Sequence, residues 1–266
     1  MAMCAKLSAR FSGKMSDFVI NTNLPQRAKI VALGEKYSDI LDEPLKKLGL
    51  LPVYVPDNPC VDARLSGHAD LSLFHAGGDR IFLAPYLKNS DFAQFLGKIG
   101  FIVEYADINQ SEKYPHDAQL NIASIGRAIV YGKKTAYRPI VEYLTIAQKL
   151  TVIPINQGYA KCSILAVDER SIITQDRGAA QACAAAGFDV LCIESGYVSL
   201  PGFEYGFLGG SGFKLSSDTL AFTGTLNEHP DKARILDFLH TRGVKPVYLT
   251  ERPVFDVGSI IPLTEY

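Results

Sequence analysis

Tryptophan is absent from the 266 residues, methionine occurs three times and histidine five. The five cysteines (Cys4, Cys60, Cys162, Cys183 and Cys192) form no CxxC pair, and neither they nor the histidines carry metal-ligand spacing. That excludes a sequence-local zinc site and argues for reduced thiols over a disulfide framework. No metal and no cofactor is expected. Charge of one sign is also lacking: Lys+Arg is 27 against Asp+Glu 28, a net charge of −1. Without a global basic field, neither nucleic acid nor an anionic membrane is an expected partner. No apolar run approaches the ~20 residues needed to cross a bilayer. Stretches 50–55, 81–87 and 190–193 are strand-length. Lys6, Arg10 and Lys14 have no continuous apolar segment behind them, so no signal peptide is expected and the reading is cytoplasmic.

What the chain does have is core material, with 47% hydrophobic and 21% charged residues. That is the balance of a folded domain rather than a disordered one. Length alone leaves open one large domain or two small ones.

A repeat decides between them. Each unit reads as a strand, a turn, a second strand, a helix and a third strand. The clearest copy has a strand over 69–74 and a turn at Gly77-Gly78-Asp79. A strand over 81–84 follows, then a helix capped by Ser90 and stopped by Gly100, and a strand over 101–105. The next copies place first strands at 118–123, 160–166 and 209–215. Their helices fall near 137–150, before Gly187, and over 230–242, with Pro230 at the first helical position and Gly243 as the stop. The fifth copy is split. Residues 29–33, 38–48 and 50–57 supply its second strand, helix and third strand, and 257–263 supply the first from the other chain end. Pairing of the termini would close a ring and remove exposed sheet edges. Ser72, Asn121, Ser163, Ser211 and Ser259 fall at one register position of the five first strands. The expectation is a single α/β domain over 28–266 preceded by an extension, 1–27.

Five ββαβ units closed by the termini resemble the pentein fold, the five-bladed α/β-propeller of the guanidino-group-modifying enzymes. That superfamily includes arginine and agmatine deiminases, dimethylarginine dimethylaminohydrolase and the amidinotransferases, and a non-enzymatic ribosome anti-association factor. The stretches Phe222-Thr223-Gly224, His229-Pro230-Asp231 and Phe255-Asp256-Val257-Gly258-Ser259-Ile260-Ile261-Pro262-Leu263 resemble an uncharacterised bacterial branch of it. Superfamily membership leaves function open, since the fold holds both catalysts and binders.

In such a ring the loops joining third strands to first strands share one mouth. Third strands end at Asp57, Asp107, Asn156, Glu194 and Glu251, and acids around a funnel would hold a cation, a guanidinium above all. Gly67-His68-Ala69-Asp70 resembles the His-x-Asp at the start of a blade in the family's catalysts. The resemblance implies that His68 moves protons and that Asp70 holds the guanidino group. The family's catalytic cysteine belongs to the C-terminal blade, where this chain has Asp256-Val257-Gly258-Ser259-Ile260 instead. Ser259 would stand in its vicinity, and serine is a poor nucleophile without an activating base. Cys60, in the loop 57–67, is the replacement nucleophile the sequence offers. Cys162 has the opposite strand parity to Ser163 and is expected to face the surrounding layer. Cys183 and Cys192 read as packing residues. Lys161 aligns with Asp70 and Gln119 and is expected to project into the same channel. Asn121, Ser211 and Ser259 complete the candidate ligand contacts. Gly209-Gly210-Ser211-Gly212 leads a strand, not a helix, so it is no phosphate loop.

Two functions follow. One is a pocket protein for a small guanidino or amino-acid-like molecule, with hydrolase or amidinotransferase-like chemistry. The other is a non-catalytic ring that binds a macromolecular partner. The geometry around His68, and whether a cysteine sulfur lies beside it, discriminates between them.

Overall fold

A computed structural model describes residues 17–266. Cys4, Lys6, Arg10, Lys14 and the three methionines lie outside the described residues. The strands are β1 (Asp17–Phe18), β2 (Ala28–Gly34), β3 (Leu51–Val55), β4 (Leu73–His75), β5 (Arg80–Leu83), β6 (Ile102–Tyr105), β7 (Ala123–Ile125) and β8 (Ala128–Gly132). They continue as β9 (Thr151–Ile155), β10 (Ile164–Ala166), β11 (Ser171–Thr174), β12 (Asp189–Cys192), β13 (Gly212–Ser216), β14 (Thr219–Phe222), β15 (Lys245–Tyr248) and β16 (Ile261–Glu265). They form five small sheets, β1-β16-β2-β3, β4-β5-β6, β7-β8-β9, β10-β11-β12 and β13-β14-β15. In every sheet the first and second strands of the repeat pair antiparallel and the second and third pair parallel. A parallel pair needs a crossover, and helices Ser38–Lys47, Asp91–Lys98, Arg138–Ile146, Arg177–Ala185 and Lys232–His240 supply the five.

The split repeat is present: β16 pairs with β2, with Ile261 opposite Ala32. Both ends of the chain therefore build one sheet, and β1 adds a fourth strand to it. Residues 17–27, set apart by the sequence as extension, join the fold: Asn23 Nδ2 donates to the Ser124 carbonyl and Arg27 bridges to Ser216.

The second strands alternate with period two, so neighbouring residues point to opposite faces and into different cores. Ile30 and Leu83 share one core, and Phe82 and Ile129 the next. Val130 packs with Ile172, Ile173 with Leu220, and Ala221 with Val31. Each core joins two successive sheets, and the last returns to the first.

Local signals behave as expected at several ends. Ser90 Oγ accepts from Ala93 N at 3.1 Å, and Gly100 and Gly243 take positive φ after their helices. Pro230 does not sit at the first helical position; the helix begins at Lys232 with Asp231 as its cap.

The first strands depart from expectation. Their inner halves are not extended. Ala69–Leu71 is a 3-10 turn, and Ala160–Ser163 and Leu208–Ser211 are single α-turns, each followed by a short strand. The aligned hydroxyls close two of these turns, Ser163 Oγ donating to the Ala160 carbonyl and Ser211 Oγ to Leu208. The coiling satisfies some backbone groups locally, while others bond between segments, Asp70 N to the Gly258 carbonyl and Val257 N to the Gly210 carbonyl.

Candidate active site

The residues that converge on these inner turns form a buried polar cluster. Its centre is Asp70, 2% exposed. Asp70 Oδ2 accepts the Ser259 hydroxyl at 2.7 Å and the Cys162 thiol at 2.9 Å. Lys161 Nζ donates to Ser259 Oγ at 3.1 Å, so the lysine reaches the carboxylate through the serine. Asn121 closes the other side. Its Oδ1 accepts from the backbone nitrogens of Lys161 (2.7 Å) and Cys162 (3.2 Å), while Nδ2 lies 3.3 Å from Cys162 Sγ. One amide thus holds both the start of the α-turn and the sulfur it carries.

Asp256 is the second buried acid. Its two oxygens accept Gly258 N at 2.9 Å and Phe207 N at 2.8 Å. A ring nitrogen of His68, Cys162 Sγ and an Asp256 oxygen all lie within 4.8 Å of one another. His68 is 3% exposed, and its Nε2 has no hydrogen-bond partner, nor has Asp70 Oδ1.

Glycines make this approach possible. A Cβ on Gly210 would stand 2.0 Å from Asp256 Oδ1, and one on Gly258 2.2 Å from His68 Cβ. Ser259 adopts φ +70°, a left-handed conformation that a non-glycine residue seldom holds. Strain of this kind concentrates where surrounding contacts over-determine a functional residue.

Burial sets the protonation states. It lowers His68 to about 4 against the opposing pull of Asp70, so the ring is neutral near pH 7. It raises Asp256 to about 6 despite two backbone N–H donors and Lys161. It pushes the Cys162 thiol well up, with Asp70 and Asp256 adding to the effect. Lys161 is pulled down by burial, while Asp70, Cys162 and Asp256 favour its charged form.

The mouth differs from the sequence expectation. Asp57, Asp107, Asn156, Glu194 and Glu251 are all exposed, as strand-end polar residues commonly are, and none joins the cluster. The acids that do gather, Asp70 and Asp256, belong to the inner starts of first strands. Cys60 is exposed, its backbone N bonded to Asn58 Oδ1, and it is not in the cluster. Loop 57–67 meets loop 196–206. Val61, Leu65, Leu71 and Leu200 pack together, Arg64 Nη1 donates to the Gly202 carbonyl at 2.6 Å, and its guanidinium lies 4.2 Å from the Phe203 ring centre. On the far side a cavity of about 20 Å³, lined by Thr22, Asn23, Asp70 and Lys161 among others, has room for one water.

His68, Asp70, Asn121, Lys161 and Ser259 are therefore brought together, whereas Ser211 serves its own turn. Cys162 is the residue that sequence reasoning turned the wrong way. Parity alternates only in an extended chain; in the α-turn Ala160–Ser163 successive side chains are about 100° apart, so Cys162 points inward. Asp256 lies in the stretch 255–263, and nothing in its spacing marks it.

Residues 32–261 match a family model described as a family of unknown function (DUF6873). The chain belongs to that family. No curated protein matches it in sequence. Solved structures do match its fold. A cysteine-to-serine variant of agmatine deiminase from C. jejuni, with substrate bound, is 10% identical with a TM-score of 0.56. That match covers 92% of this chain and 96% of that one. Inosamine-phosphate amidinotransferase from Streptomyces griseus is 11% identical with a TM-score of 0.53, covering 93% and 97%. DDAH from Pseudomonas aeruginosa, complexed with citrulline, is 7% identical with a TM-score of 0.52, covering 90% and 100%. The DUF6873 chain thus has the pentein fold.

Proposed function

We propose that this protein is an enzyme that cleaves or transfers a group at the guanidino carbon of a small amino-acid-like molecule. In this reading the five sheets are the blades of a closed α/β-propeller and the polar cluster is its central pocket. The observation that carries the reading is the position of Cys162 Sγ, within 4.8 Å of a His68 ring nitrogen and bonded to Asp70. A nucleophile, a base and two carboxylates for a cation then share one buried site.

The roles follow from charge. A guanidinium entering the cluster brings its N–H groups to Asp70 and Asp256, replacing the thiol and hydroxyl as donors to Asp70. Its positive charge favours the thiolate of Cys162. Neutral His68 takes the thiol proton, the thiolate bonds to the guanidino carbon, and His68 returns the proton to the departing nitrogen as the C–N bond breaks. Water then adds to the same carbon and the sulfur leaves, giving a ureido product; an amine in place of water gives amidino transfer. Asn121 holds the turn and donates toward the sulfur, and Lys161 balances the two acids.

The alternative of a non-catalytic ring drew its support from the lack of a cysteine in 257–263. A thiol arriving from a different sheet removes that support. The test is turnover of a panel of guanidino compounds, followed by release of ammonia or amine. Activity that is reduced roughly a thousandfold in Cys162→Ala and retained in Cys60→Ala supports the proposal. No turnover of any panel member, or turnover indifferent to Cys162, contradicts it.

A further inference from the structure

We propose that His68, Cys162 and Asp256 also form a binding site for a soft divalent cation, Zn²⁺ being the natural fit. Their ligand atoms lie within 4.8 Å of one another, and all three residues are at most 3% exposed. His68 Nε2 is a buried nitrogen without a partner, so the site offers a lone pair that nothing in the fold uses. One nitrogen, one sulfur and one carboxylate oxygen is a zinc-type donor set; magnesium and calcium prefer oxygen alone. Three protein ligands leave a fourth position open to water or another ligand.

The surroundings are those of a supported metal site. Both Asp256 oxygens are oriented by backbone N–H groups, and Asn121 Nδ2 lies against the sulfur. Such outer contacts fix ligand geometry. Charge also balances. With the thiolate formed, Asp70, Asp256 and Cys162 carry three negative charges against one on Lys161, and a divalent ion brings the buried cluster to neutrality. Binding releases the thiol proton to solvent. No sequence spacing announces the site because its ligands come from three separate sheets' inner ends, 68, 162 and 256.

Binding of the ion does not depend on the proposed catalysis. Only its consequence, exclusion of a guanidinium from the same carboxylates, rests on that reading. The experiment titrates the full chain with Co²⁺ and then Zn²⁺ in the absence of any substrate. Expected are one ion per chain, a cobalt–thiolate charge-transfer band displaced by zinc, and at least tenfold slower alkylation of Cys162 in the zinc form. Cys162→Ser should abolish the band, His68→Ala should weaken affinity at least tenfold, and Cys60→Ala should change neither. Circular dichroism and urea unfolding of each variant establish that it is folded. A band that survives Cys162→Ser, equal affinity in His68→Ala, or no stoichiometric binding overturns the proposal. Such a failure leaves the turnover test untouched, and a failure of turnover leaves the cobalt band intact.

Discussion

Cys162 and Ser259, from two different sheets, donate to the same oxygen of Asp70, the thiol at 2.9 Å and the hydroxyl at 2.7 Å. Ser259 occupies the chain position where the resemblance places a nucleophile, yet its Oγ is committed to Asp70 and receives Lys161. In the proposed function Ser259 supports the carboxylate and the thiol carries the chemistry. Ser259→Ala is then expected to cost about 1–3 kcal/mol, since it leaves a buried lysine and carboxylate short of a partner. Urea unfolding measures that loss. Covalent capture by Cys162 should persist in the variant; complete loss of capture with an intact fold would move the nucleophile to Ser259.

If the entry path to the cluster runs between loops 57–67 and 196–206, the contacts that join these loops control access to Cys162. Arg64 ties loop 57–67 to Gly202 and Phe203 by one charged hydrogen bond and one cation–π contact. Arg64→Ala is expected to raise the alkylation rate of Cys162 by freeing the two loops from each other. An unchanged rate would place the entry path elsewhere.

Stability should carry two opposing pH signatures from this site. His68 takes its proton near 6.5 when unfolded and near 4 when folded, so its contribution is present above 6.5 and is lost as pH falls toward 4. Asp256 loses its proton near 3.8 unfolded and near 6 folded, so its contribution is present below 3.8 and is lost as pH rises toward 6. Each shift corresponds to roughly 3 kcal/mol. On acidification from about pH 7.5 to 4, wild type should lose stability relative to His68→Gln and gain it relative to Asp256→Asn. Urea titrations at the two pH values read both differences, and pH-independent differences would contradict the assigned burial.

The Ser90 cap offers a control away from the site. Ser90→Ala removes its bond to Ala93 N and should cost about 1 kcal/mol without altering Cys162 reactivity.

The contrast between Ser90 and Cys162 shows what the sequence can carry. Caps, glycine stops and the period-two second strands are local, and they place the five repeats, the helices and the shared first sheet. His68 and Asp70 draw attention through the resemblance of His-x-Asp to the family's blade starts, and Lys161 because it aligns with Asp70. The acids at third-strand ends stay in water and outside the cluster, because position along a strand says nothing about which polar residues lose their water. Cys162 was misread because parity presumes an extended chain. The inner end of its strand coils instead, held by the Asn121 amide and lying against the backbone of Gly209. Asp256 became visible only when three separate sheets were brought together.

The most direct test of the central claim is the intact mass of the protein, acid-quenched during incubation with guanidino compounds, followed by peptide mapping. The account predicts a covalent amidino adduct on Cys162, absent from Cys162→Ala and present in Cys60→Ala. An adduct on Cys60 or Ser259, or a turned-over substrate with no dependence on Cys162, would contradict it.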